Sequence, residues 1–77
     1  NDPDFWAMSA LIRIDMHEYS KALSDAEQGL KIDGDHVLSI NARAYSLARL
    51  SRIEEARNDL ERALELEPND SFTHTNY

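Results

Sequence analysis

The segment DGDH, Asp33 to His36, places two carboxylates and an imidazole within one short stretch, and such side chains can bind metal ions. A calcium loop of the EF-hand kind spreads its oxygen ligands over about twelve residues and ends on a bidentate glutamate. Counted from Asp33, that glutamate position is Ala44, which has no side-chain oxygen. We therefore interpret the segment as a turn between helices and expect no metal ion.

Histidines and carboxylates elsewhere could serve in acid–base catalysis. The histidines, His17, His36 and His74, are far apart and form no HExxH pattern. Near the C-terminus, acids stand at i+3 and i+4 spacings from Arg57 and Arg62, which is typical of an exposed helix face. These acids are Glu54, Glu55, Asp59, Glu61, Glu65 and Glu67. No glycine-rich phosphate loop or catalytic serine is apparent, so we predict a protein without catalytic residues, not an enzyme, and without a cofactor.

The composition narrows the classes of partner. The chain has 77 residues, with 15 acidic and 8 basic side chains and a net charge of −7. This charge argues against nucleic acid and against anionic membrane surfaces. No apolar run approaches the length of a membrane span, so we expect no membrane insertion. Cysteine is absent and no signal-peptide pattern is present. We expect a cytoplasmic protein, with the periplasm or another compartment left open.

The elements that carry these residues repeat with a period of 34. Asn1-Asp2 recurs as Asn69-Asp70, two periods later. One period relates Ala10 to Ala44, Ala22 to Ala56, Asp25 to Asp59, Glu27 to Glu61 and Leu30 to Leu64. Apolar side chains within each copy follow the i, i+3, i+4, i+7 spacing of an amphipathic helix. The pattern predicts helices over roughly 3–16, 18–32, 36–50 and 52–66.

Helix ends are marked by particular residues. Asp2 and Pro3 suit an N-cap and a first helical position. Gly34 could close the second helix with a positive φ, and Asp35 could cap the third. Pro68 would stop the fourth helix, because proline cannot donate into a continuing helix.

A helix–turn–helix unit of this length resembles the tetratricopeptide repeat. Trp6 occupies the family's aromatic position near the start of the first helix, and ALELEPND, residues 63–70, is similar to the end of its repeat. The family's small positions are filled by Ala10, Ala22, Gly29, Ala44, Ala56 and Ala63. The chain departs from the pattern at His17 and Ser51, where the family has glycine between the helices.

The resemblance implies an all-α fold in which helix–turn–helix repeats stack as a short right-handed superhelical α-solenoid. Its repeats would span residues 3–36 and 37–70. Residues 1–2 would end a missing upstream repeat, and residues 71–77 would begin a following helix or a tail. We therefore interpret the chain as a fragment of a longer array.

The family binds proteins through the concave side, which the first helix of each repeat lines. Mapped onto this sequence, the candidate groove consists of Asp4, Ala7, Met8, Leu11, Ile14, Asp15, Leu38, Asn41, Ala42, Tyr45 and Arg49. Its apolar centre suits an extended peptide or a helix of a partner protein, and Tyr45 and Arg49 are types that dominate binding energies. Members that grip chaperone C-terminal carboxylates use lysine and asparagine where Ala7, Leu11 and Ala42 stand, so we predict that this clamp is missing.

Two alternatives remain open. The chain could be an architectural spacer or self-assembly segment without a groove ligand, or a regulatory segment attached to an enzyme outside it. Stacked repeats usually need three or more units, so we also predict that the isolated chain forms a homo-oligomer.

The same register gives predictions about packing. The alanines at the small positions should be buried, and Gly29 should lie where helices approach closely. Arg13 and Arg43 depart from the family's apolar residues, so each should lay its stem on apolar surface and direct its guanidinium to an acid.

Overall fold

The structure, a computed structural model, describes residues 2–66. Over this range the chain forms four helices: α1 (Pro3–Asp15), α2 (Tyr19–Ile32), α3 (Val37–Arg49) and α4 (Ile53–Leu66). Every predicted bound is within one residue of the observed one, and the predicted all-α fold class is confirmed. The first and last residues of α1 and α2, shifted by 34, are those of α3 and α4. Pro68 and the helix start expected in residues 71–77 lie outside the described residues.

The helices form two antiparallel hairpins that stack through α3. The α1 helix packs on α2 and α3, α2 packs on α3, and α4 packs on α3. One core cluster joins the first three helices through Ala10, Ala22, Ala26 and Ala42, and another joins the last three through Leu23, Leu47 and Ala56. As a result α3 has three helical neighbours, whereas α1 has two.

Small residues let these helices approach closely. The predicted alanines, Ala10, Ala22, Ala44, Ala56 and Ala63, are all buried. A Cβ added to Gly29 would lie 2.5 Å from Ser39 Oγ and 3.3 Å from the Pro3 carbonyl oxygen. Both predictions about the small positions are therefore confirmed.

The cap of α1 is as predicted, because the Asp2 carboxylate accepts a hydrogen bond of 2.9 Å from the Asp4 backbone N–H. The caps predicted around Gly34 are wrong. The α2 helix ends at Asp33, which is extended, and Gly34 does not have a positive φ. His36 is the N-cap of α3 and makes no side-chain capping bond, and the Asp35 carboxylate pairs with Arg62 instead.

Positive φ occurs in the turns within the hairpins. His17 has a φ of 63° and Ser51 a φ of 68°, and these positions are 34 residues apart. After His17 the Glu18 N–H donates to the Arg13 carbonyl, and one period later Arg52 donates to the Leu47 carbonyl, both at 2.8 Å. This is the Schellman ending of a helix, whose left-handed residue is usually glycine. Both hairpins therefore use the same turn with a non-glycine residue at its strained position.

Candidate protein-binding groove

The candidate groove residues lie on α1 and α3, but not all of them reach the surface. Asp4, Met8, Leu11, Asp15, Leu38, Tyr45 and Arg49 are exposed, and Ile14 and Asn41 are half-buried. Ala7 and Ala42 are 0% and 1% exposed, and Ala42 packs in the alanine cluster of the core. A partner bound to this face cannot touch these two alanines, so the surface available to it excludes them.

The exposed part of the groove is apolar in its middle. Leu11 on α1 and Tyr45 on α3 are equivalent positions, 34 residues apart, and Leu38 and Met8 extend the apolar surface around them. At the ends, Asp4 is equivalent to Leu38, and Asp15 is equivalent to Arg49. The two helices therefore present matched apolar centres, with carboxylates on α1 and one guanidinium on α3.

Tyr45 and Arg49 form a preorganised pair on one side of α3. They are spaced i, i+4, and the Arg49 guanidinium carbon lies 5.2 Å from the centre of the Tyr45 ring. Its Nη2 donates to the tyrosine hydroxyl at 2.9 Å and its Nε at 3.3 Å. The hydrogen bond to the tyrosine oxygen raises the pKa of Arg49. Because the hydroxyl is a neutral acceptor, the guanidinium keeps donors and a full charge for an acidic group of a partner.

His36 connects the groove edge to the helix packing, which the sequence analysis did not foresee. Its Nε2 lies 2.5 Å from Asp4 Oδ1, and its Nδ1 lies 2.7 Å from Ser39 Oγ. The carboxylate is an acceptor, so Nε2 carries a proton and donates to Asp4. The imidazole thereby links the start of α1 to the start of α3. No spacing pattern in the sequence signals this contact, since the residues that it joins come from different hairpins.

The predicted acids of Arg13 and Arg43 are the two aspartates that the repeat places in register. Arg13 Nε donates to Asp25 at 2.8 Å, and its Nη1 donates to Glu18 at 3.1 Å. Arg43 makes a bidentate pair with Asp59, with both bonds 2.8 Å long. The hydrogen bond from the aspartate raises the pKa of each guanidinium. The prediction that each arginine reaches an acid is confirmed, and these ion pairs join the helices of each hairpin.

The two arginines reach their aspartates from different turns of the helix. The position equivalent to Arg43 in the first hairpin is Ser9, whose hydroxyl donates to Asp25 at 2.7 Å. Arg13 is one turn further along α1 and corresponds to Leu47. The aspartate is therefore the fixed point of each hairpin, and its partner side chains differ.

A depression of about 280 Å³ lies away from the candidate groove, between α2 and α4. It is lined by Glu27, Arg43, Leu47, Glu55, Asn58 and Asp59. Its central cation already makes the bidentate pair with Asp59, so the depression offers no free charge for a ligand at that point. We find no chemistry there that would define a binding site.

Metal and membrane features were searched over residues 2–66. No three metal-ligating side chains converge within this range. In the same range, no helix combines the length and the apolar character that crossing a membrane requires.

Stacked helical hairpins whose bounds recur after 34 residues define an α-helical repeat protein. Residues 37–70 match the family model of the tetratricopeptide repeat, and the chain is a tetratricopeptide-repeat protein over this segment. Repeats of this family generally mediate protein–protein interactions and are typically not catalytic. No solved structure matches the chain.

Proposed function

We propose that the chain is a protein-interaction scaffold that binds an extended peptide or a helix of a partner in the candidate groove. The observation that carries the proposal is the preorganised pair of Tyr45 and Arg49 beside exposed Leu11 and Leu38. Tyrosine and arginine contribute strongly to binding when a partner excludes water around them. We also propose that the repeats span residues 3–36 and 37–70, and that the chain has no catalytic activity.

The arrangement favours a partner segment with an apolar centre and an acidic group. The apolar residues would cover Leu11 and Leu38, and the acidic group would accept hydrogen bonds from Arg49. A basic group at the other side would be attracted to Asp15. Since Arg49 is held in place by Tyr45, little side-chain entropy is lost when a ligand binds it.

The groove can be tested with a phage-displayed library of random peptides selected on the wild-type chain. Peptides that bind should shift the amide NMR signals of Leu11, Leu38 and Tyr45 and leave those of the outer side of α2 unchanged. Tyr45→Ala should then weaken the same peptides by at least about tenfold, because it removes the aromatic surface and the support of Arg49.

Ser24→Ala is the matched control, since Ser24 is exposed on the side of α2 that faces away from the core. Its affinity for the selected peptides should equal that of the wild type, and circular dichroism should show unchanged helix content for both variants. Equal affinity of Tyr45→Ala and wild type, or signal shifts confined to α2 and α4, would rule out groove binding.

The alternative role, an architectural or self-assembly segment, is favoured by a different observation. Large apolar side chains on α1 point away from α2 and α3 and remain exposed, among them Phe5 and Ile12. Surfaces of this kind mark contacts with other chains or segments. Under this alternative the Tyr45→Ala variant would keep its self-association, and no groove peptide would be selected.

A further inference from the structure

One face of α1 carries large apolar side chains that nothing in the described chain covers. We call it the front stripe, and it consists of Phe5, Met8, Ile12 and Met16. Their spacing, i, i+3, i+7, i+11, puts them on one side of the helix, and they are 53–64% exposed. Ala7 and Ala10, on the opposite side, are buried. The front stripe is thus a complete apolar face, of which only Met8 also belongs to the candidate groove.

The second hairpin indicates what covers such a face. The equivalent positions on α3 are Ser39, Ala42, Ser46 and Leu50. Ser39 and Ser46 are 0% exposed, because α2 packs along this side of α3. Ala26 of α2 shares a cluster with Ala42, and Gly29 of α2 lies against Ser39. In the second hairpin this face is therefore an interface with the second helix of the preceding hairpin.

The other half of that interface also has an exposed counterpart. The helix equivalent to α2 is α4, and its positions Ile53, Leu60 and Leu64 correspond to Tyr19, Ala26 and Leu30. Ala26 is fully buried and Leu30 is half-buried, whereas all three residues on α4 are exposed. We call Ile53, Leu60 and Leu64 the rear stripe. Their i, i+7, i+11 spacing again defines one face of the helix.

We infer that the rear stripe of one copy packs on the front stripe of a second copy, head to tail. The contact continues the internal interface between α2 and α3, with α4 in the place of α2 and α1 of the next copy in the place of α3. Such a contact is heterologous, since each copy contributes a different surface, and it leaves a free stripe at each end of a dimer. The inference specifies the self-assembly alternative and does not depend on the groove.

The intermolecular contact differs from the internal one in side-chain size. Where Ala26 meets Ala42 inside the chain, Leu60 would meet Met8 of the second copy. The helix axes would therefore lie further apart, toward the upper end of the usual range of about 8–10 Å. Charge also differs, because Arg57 takes the place of Leu23, a member of the internal cluster. Its stem can still cover apolar surface while its guanidinium stays in water.

The test uses one variant for each stripe, analysed by sedimentation at increasing protein concentration. Ile12→Glu blocks the front stripe and Leu60→Glu blocks the rear stripe, and both residues are exposed, so neither change disturbs the core. The wild type should rise in mass beyond a dimer with concentration, because every dimer keeps free stripes. Each variant alone should sediment as a monomer.

An equimolar mixture of the two variants should form dimers and nothing larger. The rear stripe of the Ile12→Glu chain is intact and meets the intact front stripe of the Leu60→Glu chain, whereas the remaining ends are blocked. Ser24→Glu, with the same added charge on the exposed side of α2, should assemble like the wild type.

Several results would overturn the inference. If Leu60→Glu alone still dimerises and Ile12→Glu does not, the front stripe pairs with itself. If the wild type stays a monomer at every concentration, the stripes do not join copies of this chain. Tyr45→Ala should leave assembly unchanged, so failure of the groove proposal and failure of this inference give different results.

Discussion

Gly29→Ala tests the close approach of α2 and α3 with a single added methyl group. The new Cβ would lie 2.5 Å from Ser39 Oγ, closer than unbonded atoms approach each other, so the serine must move. Ser39 is fully buried and its Oγ is hydrogen-bonded to His36, and any shift therefore strains or breaks that bond. Overpacking of this kind costs about 1–3 kcal/mol. Alanine regains about 0.5–1 kcal/mol over glycine within a helix. We expect a net loss of about 1–2 kcal/mol in the free energy of unfolding.

Urea unfolding followed by circular dichroism, at a concentration where the chain is monomeric, measures this loss. The second glycine supplies the control, because a Cβ on Gly34 would meet only the Leu30 carbonyl oxygen at 3.8 Å. Gly34→Ala should leave stability unchanged or raise it by about 0.4–1 kcal/mol. Ser39→Ala removes the clashing oxygen, so Gly29→Ala should cost little in that background. A Gly29→Ala variant as stable as wild type, or an equal loss in both backgrounds, would refute the reasoning.

Three further predictions use the turns and ion pairs. Ser51→Gly should raise stability by about 0.5 kcal/mol in urea unfolding, because the relief of a left-handed residue exceeds the added entropy of the unfolded chain. Asp59→Asn should cost about 1.5–3 kcal/mol and Asp25→Asn less, since only the former has both carboxylate oxygens bound to an arginine. The hydrogen bond from Arg52 lowers the pKa of Glu55, so its contribution is present above the ordinary pKa and is lost as pH falls through the lower folded value. Glu55→Gln should flatten that part of the stability–pH curve at low salt and have no effect at high salt, because both groups are exposed.

The helices and their small residues could be predicted because both follow from local periodicity. A shift of 34 brings Ala22 onto Ala56, and each lies at a helix contact that the repeat forms twice. The left-handed turns also had a signal, since His17 and Ser51 replace a glycine of the family pattern. The prediction assigned positive φ to Gly34 instead, because glycine was taken as the sign of that conformation. Asp33 ends α2 in an extended conformation, and the chain needs no left-handed residue there.

The groove was harder to predict, because periodicity alone does not separate a face that contacts the solvent from one that contacts another hairpin. Ala42 belongs to the predicted groove by register, yet α1 and α2 bury it. The same limit applies to the ion pairs. An acid was predicted for Arg43, but the choice of Asp59 depends on how α3 and α4 are rotated against each other. Helix rotation is set by packing across the whole interface, which a single helix pattern does not contain.

The internal seam and the two stripes obey opposite packing rules. At the seam, Gly29 and Ala26 face Ser39 and Ala42, so the helices are held close by backbone proximity and little side-chain volume. Such a seam admits no added atom, which makes its register strict. The stripes carry leucine, isoleucine, methionine and phenylalanine, whose flexible volume can adapt to a partner at a larger distance. A chain built in this way keeps one fixed interface inside and leaves adaptable interfaces at its ends. Changes at Gly29 should therefore alter folding, whereas changes at Ile12 and Leu60 should alter assembly alone.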